Sequence, residues 1–232
     1  MWQQLIALLF PNPSMCVLCE NRAETLAVCG DCLARWQRVA EQEGQCRRCG
    51  QFGSRAPVCD TCRDWPNYFT GNTAFLPYTE TVREAILRFK YHNEPWRAEG
   101  FAALAATRPA PVVDVIVPVP LHKARLRERG YNQSWLFARE IAARWQLPAR
   151  DDLLLRVVNT RHQVGLSKAE RVQNVSGAFA VPERALAELR GKRVLLVDDV
   201  MTTGSTLLSC ARTLHKAGVR EVQSLTIASA IH

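Results

Sequence analysis

The sequence predicts an α/β protein in which a parallel sheet flanked by helices follows a small cysteine-rich module. Three observations lead to this fold class. Apolar residues make up 47% of the 232 residues, enough for a sizeable core. Branched apolar runs at Val112–Val117 and Val194–Val197 are typical of buried strands, and helical patterns lie around them. Eight of the nine cysteines occur as C-x2-C pairs. We therefore expect an N-terminal helix with a double zinc ribbon in residues 1–65 and an α/β domain in residues 66–232.

The first ten residues are apolar but lack a basic flank and a signal-peptidase site. We interpret them as a short amphipathic helix that packs through Trp2, Leu5, Ile6 and Leu9. No stretch approaches the roughly 20 apolar residues that a membrane helix needs. The sequence thus predicts a soluble, cytoplasmic protein without a membrane span.

The cysteines form two identical C-x2-C-x9-C-x2-C arrays, 30 residues apart. Four thiolates at such knuckles can surround a structural zinc ion, and no position stays open for a reacting water. Disulfides are the alternative, but the spacing and the lack of a secretory signal favour one or two zinc ions. Each zinc ion could be held by two neighbouring C-x2-C pairs of one array or by pairs that cross over between the arrays. The ninth cysteine, Cys210, is predicted to be a buried apolar residue. The ligands are Cys16, Cys19, Cys29 and Cys32, then Cys46, Cys49, Cys59 and Cys62.

The net charge of +8 is carried by residues 66–232, because residues 1–65 hold seven arginines and seven acids. Two tetrathiolate zinc centres would make the module acidic, although Arg47, Arg48 and Arg55 can form a local basic edge. A basic α/β domain suits a polyanion, which could be a phosphorylated sugar or DNA.

Hydrophobic periodicity places the regular elements between the cysteine-rich module and the last strand. One helix has Val82, Ala85, Ile86 and Phe89 on a single face. The predicted elements are a strand at 71–78, helices at 81–90 and 96–107, a strand at 112–117, a helix at 133–145 with Asn132 as N-cap, and a short helix that contains Lys168 and Arg171.

The segment Val194–Thr206 reads Val-Leu-Leu-Val-Asp-Asp-Val-Met-Thr-Thr-Gly-Ser-Thr. A buried strand leads into two carboxylates, Asp198 and Asp199, and then into small hydroxyl residues that open a helix. Backbone N–H groups at this helix start can bind a phosphate, and Gly204 permits a positive φ. The carboxylates can hydrogen-bond sugar hydroxyls. The alternative is an ordinary strand–turn–helix capped by an acid pair.

A second loop, Pro118–Lys123, leaves the strand that ends at Val117. Loops at the carboxyl ends of parallel strands line ligand crevices, so this loop is expected to face Asp198 and Asp199. A basic run follows it, in which Glu128 is the single acid. The run favours anion binding, with a solvated surface as the alternative. Its cations are Lys123, Arg125, Arg127 and Arg129.

The segment Val194–Thr206 resembles the binding signature for phosphoribosyl diphosphate (PRPP) in type I phosphoribosyltransferases. The resemblance implies that Asp198 and Asp199 hold the ribose hydroxyls and that Mg²⁺ accompanies PRPP or a related ribose 5-phosphate ligand. It also implies a pyrophosphate loop in which Lys123, or else His122, supplies the positive charge. The implied binding residues are Val200, Met201, Thr202, Thr203, Gly204, Ser205 and Thr206, with Pro120, Leu121, His122 and Lys123.

The whole chain resembles the competence protein F family (ComF/GntX group). The likeness rests on Arg-x-Arg-Gly-Tyr-Asn-Gln at 127–133, on Arg161-x-Gln163 with the residues that follow it, and on the double cysteine array. It implies a phosphoribosyltransferase fold, a role in uptake or utilisation of external DNA, and an unestablished substrate. The polar stretch 156–179 is expected to form a lid. The expected lid and anion contacts are Arg127, Arg129, Arg161, Gln163 and Arg171.

Three functions remain open from the sequence. The first is an active phosphoribosyltransferase, and the second is a non-catalytic sensor of PRPP or a nucleotide. The third is an accessory protein that binds single-stranded DNA or DNA-processing proteins through its basic face and zinc ribbon. The intact acid pair and hydroxyl-rich turn favour the first two. Neither the acceptor nor the oligomeric state can be predicted.

Overall fold

The computed structural model describes residues 15–23, 27–160 and 168–231, and the helix predicted at residues 1–10 lies outside them. Within these ranges no helix combines the length and apolar character needed to cross a membrane. The helices are α1 (Gly30–Glu43), α2 (Asp60–Arg63), α3 (Glu80–Tyr91), α4 (Arg97–Ala105), α5 (Lys123–Arg129), α6 (Gln133–Trp145), α7 (Lys168–Asn174), α8 (Glu183–Leu189) and α9 (Ser205–Lys216). The strands are β1 (Phe69–Pro77), β2 (Val115–Pro118), β3 (Leu155–Arg156), β4 (Phe179–Ala180), β5 (Arg193–Met201) and β6 (Glu221–Ser229).

Four strands form a parallel sheet in the order β1-β6-β5-β2. In its interior, Val194 of β5 aligns with Val222 of β6 on one side and with Val115 of β2 on the other. One face packs against α3, α4 and α6 through residues such as Ile86 and Phe137, and the other packs against α9 through Leu214. The predicted fold class, a parallel sheet flanked by helices, is confirmed. All four carboxyl ends lie at one edge of the sheet.

The predicted helices and strands agree closely with the observed ones. Helix α6 spans the predicted residues, and the Asn132 side chain accepts a 3.0 Å hydrogen bond from the Ser134 N–H as its cap. The four apolar residues expected on one face of α3 are all buried. Strand β5 continues through Asp198 and Asp199 to Met201, so the acid pair belongs to the end of the strand.

A small antiparallel pair, β3 and β4, lies beside the carboxyl edge of the sheet. Leu155 pairs with Ala180 and Arg156 pairs with Phe179. An isolated bridge also joins Arg156 to His122, which follows β2. These pairings carry Arg156 to the edge where the acid pair of β5 ends.

The cysteine-rich segment shares its interior with the sheet. Cys16 and Val17 belong to the apolar core on one face, and Cys49 and Trp65 belong to the core on the other face. Phe52 forms a bridge with Ile231 after the last strand. The domain boundary at residue 65 stays a prediction, and these contacts show that the cysteine-rich segment packs into the cores on both faces of the sheet.

Arg97 in α4 ties the first cysteine cluster to the helical face. Its side chain is fully buried and donates to the backbone oxygen of Val17 and to the carboxylates of Glu20 and Glu94. A buried guanidinium is tolerated only when such partners surround it. The N-terminal segment therefore supplies hydrogen-bond acceptors, from Val17 and Glu20, to the buried guanidinium of Arg97.

Candidate functional site

A cavity of about 240 Å³ opens at the carboxyl edge of the sheet. Asp198, Asp199 and Val200 line one side, and the loop after β2 contributes Pro120 and Leu121. The turn after β5 adds further residues, so the two predicted loops do face one cavity. The other lining residues are Tyr78, Lys90, Tyr91, Val119, Arg125, Arg129, Gln133, Ser134, Arg156, Thr202 and Thr206.

Asp199 is buried and has a partner on each carboxylate oxygen. Lys90 Nζ lies 2.6 Å from Oδ1, and Gln133 Nε2 donates to Oδ2 at 2.6 Å. Burial disfavours the charged form of Lys90, but the contact with Asp199 outweighs it and raises the pKa of Lys90. The pair is therefore ionic, with a lysine on α3 holding a carboxylate on β5.

Asp198 behaves differently from its neighbour. Its Oδ1 accepts a 2.9 Å hydrogen bond from Ser134 Oγ at the start of α6. Burial, and then repulsion from the charge of Asp199, raises the pKa of Asp198 to about 7. Asp198, but not the lysine-paired Asp199, is thus the carboxyl of this pair whose charge is expected to change near neutral pH.

The turn between β5 and α9 is a tight turn that leads directly into the helix. Gly204 has a φ of 75° immediately before the first residue of α9. Thr203 Oγ1 and Ser205 Oγ share a 2.8 Å hydrogen bond that ties the turn together. The N-terminus of the 12-residue helix α9 favours a negative group at this position.

The cysteine-rich segment supports this turn from outside the sheet. Gln51 is buried, and its Nε2 donates to the backbone oxygen of Thr202 at 3.3 Å. The ring of Trp65 packs directly against Gly204. Local sequence patterns could not predict these contacts, because they join residues more than a hundred positions apart.

Three arginines bring positive charge to the cavity. Arg125 donates to the backbone oxygen of Thr160 at 2.9 Å, and the Arg129 guanidinium lies 4.7 Å from the ring centre of Tyr91. The Nε of Arg156 is buried and has no hydrogen-bond partner among the described residues. An unsatisfied buried donor is costly, and a bound anion would satisfy it.

The two residues predicted to supply the pyrophosphate-loop charge lie outside the wall of this cavity. Lys123 is exposed, and neither it nor His122 lines the cavity. Instead, His122 caps α5 by accepting a hydrogen bond from the Ala124 N–H through Nδ1. Because successive helical residues point about 100° apart, Arg125 faces the cavity where Lys123 was expected.

The remaining predicted residues divide into three groups. Met201 is buried in the core and Thr203, Gly204 and Ser205 shape the turn, but none of these four lines the cavity. Arg129 lines it, whereas Arg127 is exposed outside it. Arg161 and Gln163 lie outside the described residues, as does the side chain of Arg171.

Sequence reasoning gave no site role to Lys90, Ser134 or Arg156. Lys90 follows the last apolar residue of an amphipathic helix and looks like an ordinary surface lysine. Ser134 lies in the first turn of the helix that the Asn132 cap predicts, but no local pattern assigned it to the acid pair. Arg156 enters the cavity through the pairing of β3 with β4, which two-residue strands do not reveal in the sequence.

The eight paired cysteines form two clusters, each built from one array. Within each cluster the Sγ atoms lie within 4.8 Å of one another, so the structure groups the two neighbouring pairs of one array and not crossed pairs. Adjacent sulfurs are 3.4 to 3.6 Å apart, for example between Cys46 and Cys62 and between Cys49 and Cys59. Tetrahedral zinc at about 2.3 Å from each sulfur requires a spacing of roughly 3.8 Å. The donors therefore fit zinc, and all nine cysteines, including buried Cys210, are free thiols.

Comparisons with known proteins agree with this geometry. Residues 133–232 match the family described as "Phosphoribosyl transferase domain". Competence protein F of Haemophilus influenzae is 31% identical over 224 residues, which cover 93% of this chain and 90% of that protein. The chain belongs to the competence protein F family. The present chain is also 31% identical to the DNA utilization protein YhgH of Salmonella typhi, over 91% of the chain and 95% of that protein. Competence protein ComFC of Bacillus subtilis is 28% identical over 86% of the chain and 83% of that protein.

Proposed function

We propose that this protein binds PRPP, or a related ribose 5-phosphate ligand, with Mg²⁺ in the cavity at the carboxyl edge of the sheet. One observation carries the proposal. The acid pair Asp198–Asp199 lines a single cavity together with Thr202 and Thr206 from the two ends of the turn before α9, and the remaining walls carry Lys90, Arg125 and Arg156. A ligand with sugar hydroxyls, a terminal phosphate and a second, highly charged group matches this combination of acids, backbone donors and cations.

Each part of the ligand has a candidate partner. The 5′-phosphate would accept hydrogen bonds from backbone N–H groups of Thr202–Thr206 at the helix start. The ribose hydroxyls would donate to Asp198 and Asp199. The diphosphate would lie against Arg125 and Arg156, whose unpartnered Nε needs an acceptor. Mg²⁺ bound with the ligand would neutralise part of the diphosphate charge.

Transfer at this site would need no protein nucleophile. The bond between the anomeric carbon and the diphosphate oxygen breaks, the electron pair leaves with the diphosphate, and an acceptor forms the new bond to that carbon. Positive charge develops on the sugar during this exchange, and the carboxylates of Asp198 and Asp199 stabilise it. Lys90, 2.6 Å from Oδ1 of Asp199, holds that carboxylate in place. We propose a phosphoribosyltransferase on these grounds.

The biological setting is inferred from relatives. The matched proteins of Haemophilus influenzae and Bacillus subtilis are named for competence, and that of Salmonella typhi for DNA utilization. We therefore place the proposed activity in the uptake or utilisation of external DNA. A sensor that binds PRPP without transferring it is the second candidate, since the same residues would serve both.

An accessory role in binding DNA has weaker support. Of the basic run, Arg125 and Arg129 line the cavity, which leaves Arg127 and Lys123 on the open surface. Surfaces that bind single strands usually add exposed aromatic rings to such charges. Tyr131 and Trp135 are packed against the apolar core, and the one exposed aromatic beside these charges among the described residues is Tyr91, which stacks on Arg129.

Ligand-dependent thermal stability tests the proposal. Millimolar PRPP with Mg²⁺ should raise the melting temperature by mass action. The shift should be absent in Asp198→Asn and retained in Asp151→Asn, which alters an exposed carboxylate away from the cavity. No shift in the unmodified protein would exclude both transferase and sensor. If the shift occurs, diphosphate release across a panel of acceptors separates the two, because only a transferase releases it.

A further inference from the structure

A second cavity, of about 400 Å³, lies towards the amino ends of β1 and β6, away from the acid pair. Gly71, Leu195 and Gln223 lie along it, whereas Asp198 and the turn before α9 lie at the carboxyl ends of the strands. Its volume falls in the range of small-molecule sites, about 300 to 1,000 Å³. None of the residues that line the first cavity lines this one.

The walls of this cavity combine an apolar surface with a polar rim. Phe75, Leu195 and Leu225 are buried side chains at its apolar side, and Trp145 joins them from the end of α6. Thr70 and Thr73 are exposed at the rim. Such walls suit a flat apolar ring with polar substituents, which can lie against aromatic and aliphatic side chains.

Arginines give the cavity a positive charge. Arg47 and Arg108 line it, and neither forms an ion pair among the described residues. Arg48 also lines it, but donates to the backbone oxygens of Arg63 and Trp65. No aspartate or glutamate lines the cavity, although Glu221 accepts a hydrogen bond from Thr70 at the rim. The exposed guanidinium forks of Arg47 and Arg108 can bind a phosphate through two donors each.

Trp145 supplies an independent sign of a missing partner. Its indole Nε1 is buried and has no hydrogen-bond partner among the described residues. A buried indole N–H normally finds an acceptor, and leaving it without one costs about 1 to 3 kcal/mol in general. A ring nitrogen or carbonyl oxygen of a ligand in the cavity would provide that acceptor.

We propose that this second cavity binds a mononucleotide unit. The phosphate contacts Arg47 and Arg108, and the base lies against the apolar wall and accepts a hydrogen bond from Trp145. A free nucleotide and a nucleotide within single-stranded DNA share this chemistry. The site differs from the proposed PRPP site in position, in lining residues and in its lack of carboxylates.

The indole N–H resonance of Trp145 tests the proposal directly. In ¹⁵N–¹H spectra of the full chain, Trp145→Phe identifies this resonance among the six tryptophans. Thymidine monophosphate should shift it saturably, whereas PRPP with Mg²⁺ should leave it in place. Arg108→Ala should weaken binding about tenfold or more, since a hydrogen-bonded charge is removed. Arg55→Ala, which removes an exposed arginine outside the cavity, should change affinity less than about twofold.

The source of the nucleotide is decided by comparing ligands. If an oligothymidylate shifts Trp145 at much lower concentration than the monophosphate, the natural ligand is a DNA strand, and the reverse order indicates a free nucleotide. Two outcomes overturn the proposal: an unshifted Trp145 resonance at millimolar nucleotide, or equal binding of inorganic phosphate. Either outcome leaves the PRPP proposal untouched, because that ligand is tested by the melting shift that depends on Asp198.

Discussion

Trp65 packs so closely against Gly204 that a β-carbon added to this glycine would lie 2.8 Å from Cζ2 of the indole. Gly204 also has a φ of 75°, a conformation that residues with side chains rarely adopt. Trp65 ends the cysteine-rich segment, and Gly204 lies in the turn that we propose binds the phosphate. The contact therefore fixes the shape of that turn from a part of the chain outside the sheet.

Gly204→Ala should destabilise the protein by about 2 to 4 kcal/mol, because left-handed backbone strain adds to the clash with Trp65. It should also abolish the melting shift caused by PRPP. The matched control is Gly191→Ala, since Gly191 has a φ of 72° but no neighbour that a β-carbon would meet. The control should cost only about 1 kcal/mol of unfolding free energy. If Gly204→Ala and Gly191→Ala lowered the free energy of unfolding in urea by the same amount, the role assigned to Trp65 would be contradicted.

The turn illustrates what the sequence could and could not predict. A branched apolar run, two acids and a glycine among hydroxyl residues predicted the strand, the turn and the helix, because each is a local pattern. The partners of those acids were not predictable from local pattern. Lys90 meets Asp199 across 109 positions, and only the packing of α3 over the sheet brings the two together.

Lys90→Met should destabilise the protein by about 2 to 3 kcal/mol at pH 7.5, because it leaves Asp199 buried without a counter-charge. Arg83→Met is the control on the same helix. It breaks an exposed ion pair, Arg83 with Glu80 at 2.8 Å, and should cost less than about 0.5 kcal/mol. Urea unfolding measures both values. The Lys90→Met loss should shrink in an Asp199→Asn background, and a loss of the same size there would argue against a direct ionic contact.

The raised pKa of Asp198 makes stability depend on pH. In the unfolded chain this carboxyl ionises near 3.8, and in the folded chain near 7, so the folded state holds the proton more strongly between those values. Stability from this group is therefore full below about pH 4 and falls as pH rises towards 7. Asp198→Asn removes the effect. Its free energy of unfolding should exceed that of the unmodified protein by about 1 to 4 kcal/mol at pH 8 and by little at pH 4.

Because other ionisable groups contribute to both proteins, the difference between the two pH curves is the quantity to measure. Asp151→Asn, at an exposed carboxylate, should follow the unmodified protein at every pH. PRPP binding should strengthen as pH rises through 7, since the ribose hydroxyls need an ionised acceptor. A pH-independent difference between Asp198→Asn and the unmodified protein would show that folding does not shift the pKa of Asp198.

Loss of metal from the second cysteine cluster, residues 46–62, should disturb the turn at residues 202–206 more than loss of metal from the first cluster, residues 16–32. Cys49 and Gln51 are neighbours in one buried knuckle, and Gln51 holds the backbone oxygen of Thr202. The first cluster instead packs near Val17 and the buried Arg97. Zinc removal is therefore expected to affect residues 66–232 as well as the cysteine-rich segment.

Hydrogen exchange in Cys62→Ser and Cys32→Ser, which remove equivalent ligands of the two clusters, tests this asymmetry. Amides at residues 202–206 should exchange about tenfold faster or more in Cys62→Ser, since their local opening becomes easier. In Cys32→Ser the increase should appear in α4 around Arg97. Amides of β6 report global unfolding and should change less than either region. If both variants loosened residues 202–206 equally, the link through Gln51 and Trp65 would be refuted, because a uniform loss of stability would then account for the exchange.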